Sequence, residues 1–588
     1  MAPISDGWPN AKAALEFHSP DFVDRVASLV KWLLPRFLDV ELYATSLHPR
    51  NKKCRIVQDN YTWGRSFVVF EIVFVGAADN GPQDEEESWI IRFAMPPIGD
   101  SFNTPAQLER KIMNEAAALQ LVRTRTTIPV PHIIASHPVA GGNQSTEYQH
   151  SHGPHPLGPD FPAFVLMTAI RGFTIEDCGI AIHELGQADP DSDPLKGDEM
   201  KRPILKQYLR DIADIHVQLS RITFDKIGGF VMDDEGNVAV GPSADFGLGP
   251  FETAKEYFTV QAEAYENLAE LLSEQDVEEG GIDGDDDEER SAEYLKRRFV
   301  ASLWRTAIMP LVDERDAGGP FPMRHGDLHS ENILVDRTGH IIGVLDWDCA
   351  ATVPWEAFAV PTFEVSGHFG ESKNESIIHD LAAITSSLTI SGTVTQEAKQ
   401  GSVFDPDGNE TQSEMADSAS DPNPGTSAQL LRRGHKRDRS RPQVHEEFNR
   451  ALTEVELESS AQSPKLSVAS LPPDLVELSR EPPQPPPVTA SGRSLAALHD
   501  SDAGYVGAYL AYWMYSLACD YEETGRVLHR MLVTRGSQNK SQSLKENGVD
   551  GGRSADWELE GDMEEAFRKF VSQVRGETNI IRHLKPAS

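Results

Sequence analysis

Between Arg324 and Asp348 the chain reads RHGDLHSENILVDRTGHIIGVLDWD. Two short apolar runs, Ile333 to Val335 and Ile341 to Leu345, flank a turn at Arg337-Thr338-Gly339, so the stretch predicts a β-hairpin. His325, Gly326 and Asp327 precede the first run, with Asn332 five positions after the aspartate, and Asp346 follows the second. The hairpin therefore has carboxylates at both ends.

Moving a phosphoryl group from a nucleotide to an alcohol requires a carboxylate that orients the hydroxyl and accepts its proton, and hard oxygen ligands for Mg²⁺ on the phosphates. Asp327 fits the first need. Asn332, returning from the end of the loop, and Asp346, emerging from the second run, fit the other. The spacing D-x-x-x-x-N equals that of the protein-kinase catalytic loop, with Asp346 in the place of the D-F-G aspartate. The bland reading of the same letters is a polar loop beside an ordinary hairpin.

HGDLHSENILVD followed by GVLDWD resembles the catalytic box and metal segment of the aminoglycoside phosphotransferase family. Gly326 and Trp347 favour that family over protein kinases, which have H-R-D and D-F-G, and no A-P-E segment follows. The resemblance implies an α+β, two-lobed protein-kinase-like fold with a small β-rich N-lobe and a larger, mainly helical C-lobe. It implies ATP and Mg²⁺ in the cleft and a small-molecule hydroxyl as acceptor. Asp327 would be the base, His325 would orient the loop, and Asn332 and Asp346 would hold the metal. Asp348 is a further carboxylate that reaches the same side only if the strand stays extended.

Upstream, Cys54 to Pro97 has the order strand, glycine turn, strand, acidic loop, strand. Gly64, Ser66 and Phe67 match part of the family's phosphate-covering turn, although a plain hairpin turn explains a single glycine equally well. Arg92, in Trp89-Ile90-Ile91-Arg92-Phe93, takes the place of the kinase strand lysine, and this stretch resembles fungal members of the family. Arginine stays cationic but is bulkier and is not interchangeable with lysine. The helix predicted over Ala106 to Arg123 offers Glu115 as its partner, with Glu109 as the competing choice. By resemblance, Phe164 to Ile170 is the hinge, where backbone groups of Met167 to Ala169 would bind adenine; a buried strand with a gap-filling methionine has the same letters.

Composition narrows the alternatives. The 588 residues are 39% hydrophobic and 25% charged, enough for two lobes and additional material. A net charge of -38 argues against a nucleic-acid surface. The four cysteines, Cys54, Cys178, Cys349 and Cys519, form neither a metal pattern nor a disulfide framework. With no secretory leader and no apolar run of spanning length, a soluble cytoplasmic protein without membrane partners is expected. The basic cluster Arg432 to Arg439 is a solvated run or, alternatively, a nuclear signal.

The expected organisation is an N-terminal helical extension over 1–50, including one amphipathic helix from Phe22 to Leu38, an N-lobe over 51–167 and a C-lobe over 168–392. In the C-lobe, helices are expected over Leu205 to Ser220, with His216 packed on the apolar face, Glu252 to Leu272 and Ala292 to Leu311. A Ser-, Pro- and acid-rich insertion over 393–500 is expected to be disordered. Helices over 501–588, with Tyr505, Tyr509, Tyr512 and Tyr515 at helical spacing, would complete the C-lobe. Two other functions stay open: a binding module that has lost catalysis, motivated by Arg92 and the thin glycine turn, and a protein kinase.

Overall fold

The computed structural model describes residues 20–64, 66–75, 87–96, 104–138, 155–182 apart from 159, 198–263 apart from 199, 234, 245 and 246, 286–362, 443–461, 489–506 apart from 505, 525–532 apart from 526 and 530, and 565–572. The tyrosine stripe and the basic cluster lie outside these residues.

The single helix expected over Phe22 to Leu38 is two helices, α1 (Pro20–Leu33) and α2 (Phe37–Leu47), joined by a 3-10 turn at Leu34–Arg36. Pro35 explains the break, because it has no N–H to give and its ring clashes with the carbonyl four residues back. The apolar stripe continues across the turn, and Val26, Val30, Leu33, Phe37, Val40 and Ala44 are all buried.

That stripe covers one face of a five-stranded antiparallel sheet of order β1-β2-β3-β5-β4. The strands are β1 (Cys54–Trp63), β2 (Phe67–Phe74), β3 (Ser88–Ala94), β4 (Ile133–His137) and β5 (Phe164–Thr168). Side chains alternate across a strand. Val68, Phe70 and Ile72 with Trp89, Ile91 and Phe93 therefore pack on α1 and α2. Phe67, Val165 and Met167 face the other way, with Leu108 and Ile112 of α3 (Pro105–Arg125). Thr104 and Gln107 start α3 with a reciprocal capping box, and Pro105 occupies its first turn.

The larger lobe is built on α4 (Lys201–Leu219) and α5 (Asp286–Ile308). Around them lie the small sheets of β6 (Thr223–Phe224), β7 (Gly229–Met232), β8 (Val238–Gly241), β9 (Phe321–Arg324), β10 (Ile333–Val335), β11 (Ile341–Val344) and β12 (Ala351–Thr352). β10 and β11 are the expected hairpin. One apolar core runs through α3, α4, α5 and these strands. The fold is thus the two-lobed, kinase-like α+β arrangement. Among the described residues, no helix is long and apolar enough to cross a membrane.

The expectation of disorder throughout 393–500 is corrected in two places. α6 (Gln443–Ala461) buries Val444, Phe448, Leu452 and Val455, while Arg210 of α4 pairs with its Glu458 at 2.5 Å. The carboxylate of Glu456 then accepts from the N–H groups of Leu495 and Ala496 at the start of α7 (Leu495–His499), at 2.6 and 3.1 Å. The apolar spacing four, four and three residues apart is a helical stripe. Polar composition averaged over a hundred residues conceals it.

Candidate active site

The register of the hairpin places its two ends together. Ile333 pairs with Val344, so Asn332 lies beside Leu345, the residue before Asp346. Both backbone groups of Leu345 are used there: its N–H donates to Asn332 O at 2.9 Å, and its carbonyl accepts from His325 Nε2 at 2.8 Å. Nδ1 of His325 accepts the Asp327 N–H at 3.3 Å, which requires a neutral ring protonated at Nε2. Burial keeps it neutral, pushing its pKa down to about 4. Gly326, at φ 90°, is obligatory: a Cβ here would stand 2.0 Å from the Cys349 carbonyl oxygen.

Asn332 Nδ2 donates to Asp327 O at 2.9 Å and lies 3.0 Å from His329 Nε2, which leaves Oδ1 as the atom suited to a cation. His329 Nε2 is 3.7 Å from Asp327 Oδ2. Burial works to raise the Asp327 carboxyl, but His329, His325 and Lys111 outweigh it and hold the group below the usual carboxylate range. Asp327 is therefore ionised at neutral pH.

Across the cleft, Arg92 Nη1 donates to Glu115 Oε1 at 2.6 Å and Nη2 to Asp346 Oδ1 at 2.8 Å. Glu115 rather than Glu109 is the partner. The guanidinium also lies 4.3 Å over the Phe67 ring. Burial works against the Arg92 charge, but the carboxylates of Glu115 and Asp346 outweigh it and raise its pKa. Burial in turn pushes Glu115 up, and Arg92 draws it back. Asp346 adopts the left-handed conformation (φ 62°, ψ 63°), a strained state that aspartate tolerates better than most residues and that clusters at functional sites. The chain then enters a 3-10 turn over Trp347–Cys349, so the extended geometry that would have aimed Asp348 alongside Asp346 ends there. Asp348 is instead buried against Lys111, Oδ2 to Nζ 3.5 Å.

The nucleotide-side residues are arranged less simply. Gly64 is exposed and its N–H donates to Phe67 O at 3.0 Å, while the Ser66 carbonyl accepts from Met95 at 2.8 Å. Arg65 between them lies outside the described residues. Met167 is buried in the cluster that contains Phe67. Ala169 departs from expectation: its N–H donates to Ser88 O at 3.1 Å, and the Thr168 N–H donates to His132 O at 2.9 Å. The Thr168 and Ala169 N–H groups are thus taken by the protein's own backbone.

Sequence reasoning missed Lys111 and Asn114. Lys111 sits four residues before Glu115, one turn earlier on the same face of α3, and that spacing alone was a signal for it. Asn114, buried beside Glu115, carried no such signal. His329 was also passed over, although it lies only two positions beyond Asp327.

The two-lobed fold thus brings together an Asp-Asn-Asp set at the mouth of a hairpin and a cation that bridges a helix glutamate to the last aspartate. Residues 242–355, which include Asp327, Asn332 and Asp346, match the family model APH, the phosphotransferase enzyme family. No curated protein matches the chain. Similar solved structures include a thermostable mutant of aminoglycoside phosphotransferase APH(4)-Ia in ternary complex with AMP-PNP and hygromycin B, 13% identical, covering 52% of this chain and 70% of that one at a TM-score of 0.27. Macrolide 2'-phosphotransferase MphH from Brachybacterium faecium is 14% identical over 60% and 82%, also at 0.27. An aminoglycoside-3'-phosphotransferase of type VIII is 16% identical over 62% and 94%, again at 0.27.

Proposed function

We propose that the chain transfers the γ-phosphate of ATP to a hydroxyl group of a small molecule. The observation that carries this reading is that Asn332 and His325 both bond the backbone of Leu345, the residue before Asp346, that Asp327 is joined to them through His325 Nδ1 and Asn332 Nδ2, and that Arg92 bridges Asp346 to Glu115. The donor set suits Mg²⁺, which is typically held by one or two carboxylates together with substrate phosphates. Asn332 Oδ1 and the Asp346 carboxylate would hold it, and when bound it supplies charge neutralisation on the phosphate oxygens.

In this reading Asp327 accepts the proton of the attacking hydroxyl, a P–O bond forms to that oxygen, the bond from the γ-phosphorus to its bridging oxygen breaks, and ADP leaves. His325, held neutral between Leu345 O and Asp327 N–H, keeps the loop in place and does not react. Arg92 turns from Asp346 toward the phosphates while Glu115 retains it. Of the described residues, those of 51–167 and 168–362 act as the two lobes, and Val506, Val527, Leu528, Phe567 and Val571 join the core of the second.

One observation favours a second reading, a nucleotide-binding module without transfer: Arg92 is already paired with the carboxylate that must take the metal. Calorimetric titration with a non-hydrolysable ATP analogue, with and without Mg²⁺, separates the outcomes. Magnesium-dependent binding that Asp346→Ala weakens, followed by phosphate transfer in a hydroxyl-compound screen that Asp327→Ala abolishes, supports the kinase. Binding without transfer supports the module, and absence of binding by folded protein at millimolar nucleotide removes both.

A further inference from the structure

Asn114 makes all its side-chain hydrogen bonds to backbone. Nδ2 donates to Asp348 O and Ala350 O, each at 2.9 Å, and Oδ1 accepts from the Phe230 N–H of β7 at 2.5 Å. A short neutral side chain with two donors and one acceptor is what the position requires; an aspartate would set a carboxylate against two carbonyl oxygens. One turn earlier, Lys111 pairs with the Asp348 side chain. The helix therefore grips residues 348–350 directly, while its Glu115 reaches Asp346 through Arg92.

We propose that Asn114 is a positioning residue that locks the segment 346–350 to α3, so that Asp346 keeps its left-handed backbone and its register with the Arg92–Glu115 pair. On the phosphoryl-transfer reading, on which this function rests, the same lock aims Asp346 at the magnesium ion. The helix and this segment then move as one body: α3 cannot swing away without breaking three buried hydrogen bonds.

The test compares wild type with Asn114→Asp and, as a control on the exposed side of the same helix, Gln120→Ala. Hydrogen exchange of the ligand-free proteins is followed over 346–350 and over the β10–β11 hairpin, and the ATP analogue is titrated with and without Mg²⁺. In Asn114→Asp, exchange over 346–350 is expected to quicken about tenfold or more with the hairpin within about twofold, as for loss of two local hydrogen bonds. The magnesium-dependent gain in nucleotide affinity is expected to fall by a similar factor, with magnesium-free binding unchanged. Gln120→Ala should match wild type in each respect.

Unchanged exchange over 346–350 in the folded variant would overturn the proposal, as would an equal rise across the hairpin, which indicates a packing role alone. If Asn114→Asp does not fold, Asn114→Ser, whose hydroxyl can serve only one of the two carbonyls, is read by the same criteria. If wild-type protein binds no nucleotide, the phosphoryl-transfer reading falls, and the exchange comparison still decides whether Asn114 locks the segment.

Discussion

Arg92 Nη2 and Asp346 Oδ1 are 2.8 Å apart across 254 residues of sequence, while the other arm of the same guanidinium is committed to Glu115. A lysine at 92 has a single ammonium and could not bridge two carboxylates in this forked geometry. The arginine is thus the strut that joins the sheet, α3 and the segment that begins at Asp346. Its removal should show in stability before any chemistry is measured.

Arg92→Met leaves the buried Glu115 carboxylate without its cation, so a loss of about 3–5 kcal/mol is expected in urea denaturation. The double variant Arg92→Met/Glu115→Leu should recover most of it, because burying neither charge removes the desolvation cost. A double variant as unstable as the single one would mean that Arg92 stabilises through packing.

Gly326→Ala forces a methyl group into the Cys349 carbonyl at a backbone conformation that L residues rarely adopt. We expect a loss of about 3 kcal/mol or more together with loss of magnesium-dependent nucleotide binding. Wild-type behaviour on both counts would show that the loop does not need this close approach.

His216 of α4 is buried, stacked 4.2 Å from Phe358, and burial with help from Arg324 pushes its pKa down to about 3. The folded protein keeps the ring neutral, whereas the unfolded chain takes up a proton below its ordinary value. Stability from this group is present above pH ~6.5 and is lost as the pH falls toward the folded pKa. Between pH 6.5 and 5 the loss is roughly 2 kcal/mol. Denaturation at the two pH values should show His216→Gln losing less than wild type by that amount; equal losses would mean that the ring protonates without unfolding.

Arg493 Nη2 pairs with Asp316 at 2.9 Å and with Glu356 at 3.5 Å, both carboxylates buried. Arg493→Met should cost about 3–5 kcal/mol in urea denaturation by leaving two buried acids without a cation. Little change would mean that residues 489–500 do not dock on this lobe.

Phe448→Ala should cost about 3–5 kcal/mol, since the ring of α6 is fully buried in the core that α4 shares. A neutral result in denaturation would place α6 outside the cooperative fold.

The hairpin was legible because short apolar runs flank turn residues, and the Arg92–Glu115 pairing because the family resemblance set a cation on the strand opposite the helix, whereas Gly326 was read as a family marker and not for its positive φ. Other features were not legible. One helix was expected over Phe22 to Leu38 where Pro35 makes two. α6 was hidden because its buried residues sit in a polar, acid-rich window whose average looks unstructured. That the Ala169 N–H is taken by Ser88 is not readable locally, because strand register is a pairing property that shows only when β3 lies beside β5.

The residues available for chemistry, and the hairpin that presents them, follow from spacing and side-chain type within some twenty-five positions, where backbone geometry leaves few arrangements. Packing decided the rest. That Asp348 turns to Lys111, that Asn114 holds the carbonyls beyond Asp346, and that Arg493 returns to Asp316 and Glu356 depends on groups brought together from distant parts of the chain. No local pattern encodes such meetings. They are set by which buried polar atoms must find partners once the apolar surfaces have closed.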